Sequence, residues 1–139
     1  MGALYRTEAV NHDGGDGVSR VHDGLAVTVS SPLAADFDPA AANPEQLLAL
    51  AWVTCLNATA QAILAGERRS SVRATVELHA AAAPGAGYEF HADAYLSVDG
   101  ADDAETQRVL AAAHARCPVS KLLRDASTVH VHAEPYPVS

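Results

Sequence analysis

The stretch from Asn43 to Ala65, NPEQLLALAWVTCLNATAQAILA, constrains what this chain can fold into more than any other. Asn43 can accept a hydrogen bond from the free N–H groups of a helix start, Pro44 has its φ preset for the first helical position, and Glu45 suits the positive end of the helix dipole. Between Leu47 and Ala65 there is no Lys, Arg, Asp or Glu, and small or apolar residues occupy most positions around the helix rather than one stripe. Such a helix is expected to be buried on most sides. Trp52, Thr54, Asn57, Thr59 and Gln61 interrupt it, so a membrane span, which needs about 18 apolar residues in a row, is not expected.

Cys55, one of only two cysteines, lies in the middle of this helix. Taken alone it has two readings, a small packed hydrophobe or a reactive thiol. The other cysteine, Cys117, opens the run Cys-Pro-Val-Ser-Lys-Leu-Leu. Pro118 pushes Cys117 out of the helical region and is itself ready to begin a helix. A thiol at a helix N-terminus has its thiolate favoured by the free N–H groups, and Arg116 and Lys121 add positive charge nearby. Together the two cysteines suit a redox pair. Their spacing is neither the Cys-x-x-Cys of a thioredoxin-type site nor that of a zinc knuckle.

A chain of 139 residues is expected to form one domain, 1–139, with a real core. The net charge of −8 and pI near 5.2 leave no basic surface for neutralising phosphates, so a nucleic-acid partner is not expected. Aromatic residues make up only 5% of the chain and alanine is heavily used, which calls for tight packing of small side chains or burial shared with a second subunit. The N-terminal MGALYRTEAV has no basic segment followed by an apolar run. Without a secretory signal, two cysteines suit a reducing cytoplasm, where a pair is catalytic or redox-sensing more often than a permanent staple.

Taken in order, Ala3 to Val10 reads as a strand and His12 to Gly17 as a loop. Val18–Val21 and Leu25–Ser30 flank Asp23-Gly24 as a hairpin. A connection containing Pro and Ala, 31–42, leads to the central helix. Val72–Ala82 and Tyr88–Val98 then read as antiparallel strands around Pro84-Gly-Ala-Gly87. Asp102 with Glu105 three residues later starts a second helix, running to about Arg116, with Val109, Leu110, Ala113 and Cys117 on its apolar side and the His114 region towards water. A short helix from Pro118 to about Arg124 precedes the alternating strand Thr128–Glu134. This order of strands, helix, strands, helices and strand is α+β with segregated layers.

Asn43-Pro-Glu-Gln-Leu-Leu, a cysteine ten residues after that glutamate and a later Cys-Pro-Val-Ser together resemble the OsmC/Ohr family of thiol peroxidases, named for osmotic induction and organic hydroperoxide resistance. The likeness runs over nearly the whole chain. It implies an OsmC-like fold of antiparallel sheets around a buried central helix, in an intertwined homodimer with active sites between the subunits. By the same resemblance Cys55 is the peroxidatic thiol, Cys117 condenses with its sulfenic acid to a disulfide, and the reductant is a dihydrolipoyl group or other small dithiol, free or on a lipoylated protein. No bound cofactor is implied, and the substrate is an organic hydroperoxide.

Burial raises a thiol pKa, so this chemistry needs a cation to keep Cys55 ionised. The family uses an arginine held by the glutamate of the Asn-Pro-Glu motif, and Glu45 matches that glutamate. Its other reading is a first-turn dipole partner and nothing more. Ten residues of straight helix is about 15 Å, so a glutamate from a second chain is the easier source for any one Cys55. The arginine itself departs from the pattern: Gly15 stands where the Ohr branch carries it, and residues 31–42, where the OsmC branch carries it, contain none. Arg20 is the nearest substitute, and otherwise an exposed strand residue. Ala40-Ala-Ala42 also replaces the usual glycine and threonine before Asn43. Trp52, one turn before Cys55, is expected either to line an apolar substrate site or to be plain core.

Among seven histidines, His130 and His132 share a strand face, and His79 and His91 suit neighbouring strands, but no ligand spacing supports a metal. A serine hydrolase is excluded by the absence of a Gly-x-Ser-x-Gly elbow. The competing function is a family member without peroxidase turnover, acting as a redox sensor or small-ligand-binding protein.

Overall fold

The computed structural model describes residues 2–137. The chain divides into two compact units, residues 1–47 and 48–139, where the sequence predicts a single domain.

In the first unit, β1 (Ala9–Asn11), β2 (Gly17–Val21) and β3 (Ala26–Val29) form an antiparallel sheet in that order. The hairpin turn is as expected: Asp23 takes φ 56° and Val21 N–H bonds Leu25 O at 2.7 Å. Aspartate tolerates that left-handed position because its short side chain bonds locally. Gly17 has φ 138°, and a Cβ there would overlap the Asp13 side chain, which accepts the Val18 N–H at 3.1 Å. The strand expected from Ala3 is shorter, because Leu4 and Tyr5 are 99% and 83% exposed and have no buried face to align. Beyond β3, Ala42 bridges Val29 in parallel, and the Asn43 side chain accepts the Gln46 N–H at 2.9 Å as the predicted N-cap.

That cap starts α1 (Pro44–Leu64), which is one unbroken helix ended by Ala65 and Gly66 at φ 54° and 76°. The expectation of burial on most sides is corrected: only Trp52, Leu56 and Ala60 are fully buried, a single stripe at four-residue spacing, and Leu50 is 61% exposed. By length and composition alone α1 is also apolar enough to cross a membrane, despite the polar residues that interrupt it. Of these, Thr54 and Thr59 donate to Leu50 O and Cys55 O, at 2.7 and 2.9 Å, and so satisfy their hydroxyls within the helix. The buried stripe packs into a protein core, and Asn57 accepts the Ser70 hydroxyl at 2.7 Å.

The second unit holds the sheet β4 (Ser70–Ala80), β5 (Tyr88–Val98) and β6 (Val129–Ala133), in that order. β4 and β5 pair antiparallel, with Ala74 opposite Ala94, whereas β6 joins β5 in parallel, with Val131 opposite Ala94. Antiparallel pairing is therefore found in every pair but this one. A parallel neighbour needs a crossover, supplied by α2 (Asp103–Arg116) and α3 (Pro118–Leu123). Asp102 accepts the Glu105 N–H at 2.8 Å, the predicted cap of α2. The inner face of β5, Ala92, Ala94 and Leu96, meets Trp52, Leu56 and Ala60 of α1 and Leu110, Ala113 and Cys117, forming the core. On the outer face, Arg73 makes a two-pronged pair with Glu134 and lies 3.9 Å from the Tyr95 ring centroid, and His132 bonds Asp93 at 2.8 Å. The result is the α+β class expected, with two sheets and segregated helices.

Candidate active site

Cys55 is half-buried on α1, flanked by the core residues Trp52 and Leu56. Cys117 is wholly buried and occupies the joint between α2 and α3, ending the first and capping the second with extended backbone (φ −64°, ψ 123°). Pro118 forces that break, as read from the sequence. The two thiols, distant in sequence, are brought close enough to influence each other, and neither is in a disulfide.

The first turn of α3 serves both sulfurs. Ser120 N–H donates to Cys117 Sγ at 3.5 Å, and the Val119 backbone lies near enough to Cys55 to favour its thiolate. A helix start leaves its N–H groups without intrahelical partners, so thiolate character is supported from the backbone. Burial nonetheless pushes the Cys55 thiol above its ordinary 9.0, with Val119 pulling it down and Cys117 adding to the rise. No cation is among these influences.

Of the two readings of Trp52, the structure shows the core one. Its side chain is 0% exposed and its Nε1–H donates to Ser120 Oγ at 3.0 Å, leaving no ring surface for a ligand. It acts instead as a strut, joining α1 to the turn that holds Cys117. Ser120, itself fully buried, is the residue the sequence reading missed. Its signal was present, since a residue three beyond an N-cap is where the cap's acceptor is answered by an N–H.

Glu45 is half-buried in the first turn of α1, whose continuity keeps it ten residues from Cys55, about 15 Å of helical rise. Arg20 is exposed on β2, opposite Val10 and Ala26, and with Glu8, His22 and Asp23 lines a shallow groove of the first unit of about 460 Å³. Arg116 and Lys121 are exposed. His114, read as facing water, is half-buried, with Nδ1 enclosed and unpartnered. The rings of His79 and His91 do meet on neighbouring strands, 4.1 Å apart, but among the described residues no group of three or more His, Cys, Asp or Glu is placed to hold a metal ion.

Comparison with known proteins shows the family and the fold. Residues 37–132 match the OsmC-like protein family. The organic hydroperoxide resistance protein-like protein of Mycoplasma pneumoniae is 30% identical over 129 residues, covering 89% of this chain and 90% of that one. Among solved structures, an organic hydroperoxide resistance protein of Legionella pneumophila superposes with TM-score 0.83 at 26% identity, covering 98% of this chain and all of its own. The organic hydroperoxide resistance protein OhrB of Bacillus subtilis gives 0.81 at 25% identity, covering 96% and 100%. A helix-borne thiol met by a second thiol at a Cys-Pro helix start, in a chain matched along nearly its whole length, places this protein in the OsmC-like family.

Proposed function

We propose that this protein is a cysteine-based peroxidase that reduces organic hydroperoxides to alcohols. The observation that carries the reading is the approach of Cys55 to Cys117 beside the first turn of α3, where Ser120 N–H donates to Cys117 Sγ. The Cys55 thiolate attacks the distal peroxide oxygen; the O–O bond breaks, and the alkoxide leaves as alcohol after taking a proton. Cys55 is now a sulfenic acid, oxidised by two electrons. The Cys117 thiol then attacks that sulfur, forming the disulfide and releasing water. A small dithiol, such as a dihydrolipoyl group, returns two electrons and two protons by thiol–disulfide exchange, leaving as its own cyclic disulfide. An alkyl group gains from burial beside α1 in a way that hydrogen peroxide does not.

In this reading the active unit is a cytoplasmic homodimer, in which Arg20 supplies the cation and Glu45 of a second copy orients it. A second reading is favoured by one observation, the raised Cys55 pKa with no cation contributing. Left so, the thiol reacts slowly and the protein serves as a redox sensor or ligand-binding protein. Steady-state consumption of cumene hydroperoxide with dihydrolipoamide separates the two. Turnover by the native chain, lost in Cys55→Ser and reduced roughly tenfold or more in Arg20→Ala, supports the peroxidase, since one pKa unit is tenfold in thiolate fraction. A single stoichiometric oxidation without recycling supports the sensor.

A further inference from the structure

On the second unit, α2, the end of α3 and β6 enclose a groove of about 440 Å³, lined by Gln107, Leu110, Ala111, His114, Arg124 and Val131 among others. Its lining is mostly apolar, from Leu110, Ala111, Ala115 and Val131, with Gln107, His114 and Arg124 as the polar residues. Such a volume is within the range of about 300–1,000 Å³ for small-molecule sites, and an apolar wall with few polar groups is their usual composition.

The polar residues supply donors. Burial first and the Arg124 charge second push the His114 pKa below the ordinary 6.5, so the ring is neutral above that pH, and both side chains line the groove. Nδ1 of His114 is enclosed and has no hydrogen-bond partner. An enclosed bare acceptor is tolerated better than an enclosed N–H, so the one ring hydrogen belongs on Nε2. Arg124 caps α3 with its backbone, bonding Ser120 O at 2.8 Å, and makes no ion pair among the described residues. An uncommitted guanidinium and an imidazole N–H, both lining one largely apolar trough, are complementary to one carboxylate.

We propose that this groove binds a small monocarboxylic acid with an unbranched apolar tail, its carboxylate on Arg124 and His114 Nε2–H and its tail over Leu110, Ala111 and Val131. The site is separate from the thiols and does not depend on peroxidase activity. Titration of the ¹⁵N-labelled full chain with octanoate, followed by two-dimensional amide NMR, tests it. Saturable shifts are expected at Ala111, His114, Ala115, Arg124 and Val131. Arg124→Gln and the uncharged probe 1-octanol should each bind about tenfold more weakly, the loss of one charge-assisted hydrogen bond. Ala111→Trp, on an exposed helix position, should fill the trough and abolish binding while leaving the spectrum folded. Equal binding of octanol and octanoate, shifts centred on Trp52 and Val119 instead, or no saturable shift at all would each overturn the assignment.

Discussion

Cys55 sits within a 21-residue helix whose backbone N–H groups around it are already committed to the helix, whereas Cys117 sits at a break between two helices where N–H groups are free. The first sulfur has an exposed side and takes its backbone support, from Val119, from another element. The second is wholly enclosed and is served by its own turn. A helix interior can aim a thiol but has no free donor to give it; a helix start can stabilise charge but here offers no opening. In the proposed peroxidase, one cysteine in each setting, with the first turn of α3 next to both, would separate encounter with substrate from capture of the oxidised product.

The strongest way to break this division of labour is to remove each thiol in turn. Cys55→Ser should abolish peroxide consumption. Cys117→Ser should still oxidise once per chain, leaving a Cys55 sulfenic acid that dimedone traps and mass spectrometry detects. Equal loss of the first oxidation step in both variants would show that the settings are not distinct. The strut comes next. Ser120→Ala leaves the buried Trp52 Nε1–H unpaired and should cost about 1–3 kcal/mol in urea unfolding. It should also slow disulfide formation relative to the first oxidation step. Combining it with Trp52→Phe should cost less than the sum of the two changes, because the orphaned donor is gone.

Two pH effects sharpen the contrast further. Cys55 keeps its proton in the folded chain above its ordinary 9.0. The unfolded state then binds fewer protons, so stability should fall as pH rises through and beyond 9.0, and Cys55→Ala should flatten that limb. His114 has the opposite sense. With its folded pKa below 6.5, the unfolded state binds more protons under 6.5, so stability is full above that pH and declines as pH falls through it. His114→Gln should remove that part of the acid slope in urea titrations. Smallest of all, Thr54→Ala on the exposed side of α1 should stay within about 0.5 kcal/mol, since its hydroxyl only bonds its own helix.

Much of this was legible because it is local. Asn43, Pro44, Asp102 and the Cys117-Pro118 step fix helix ends through backbone chemistry that needs no partner, and the Asp23-Gly24 turn fixes a hairpin in the same way. The pairing of Cys55 with Cys117 came from family resemblance, and the fold brings the two close. What sequence could not give depends on distant neighbours. The exposed side of α1 looks identical in composition to its buried side, so Leu50 and Leu56 differ only by what packs on them. Trp52 and Ser120 meet across 68 positions, and neither announces the other. The direction of β6 follows from the crossover rather than from its alternating Val and His.

That parallel pairing of β5 with β6 also orders events when the chain folds. The β4–β5 hairpin can close early, its strands joined by a short loop with Gly85 and Gly87 at φ 77° and 76°. β6 has no such shortcut, because α2 and α3 lie between it and β5 and long-range parallel pairing forms slowly. Cys117 lies within that late segment and Cys55 before it. In a chain that folds in this order, the two thiols stay apart until the segment that carries Cys117 packs onto the sheet.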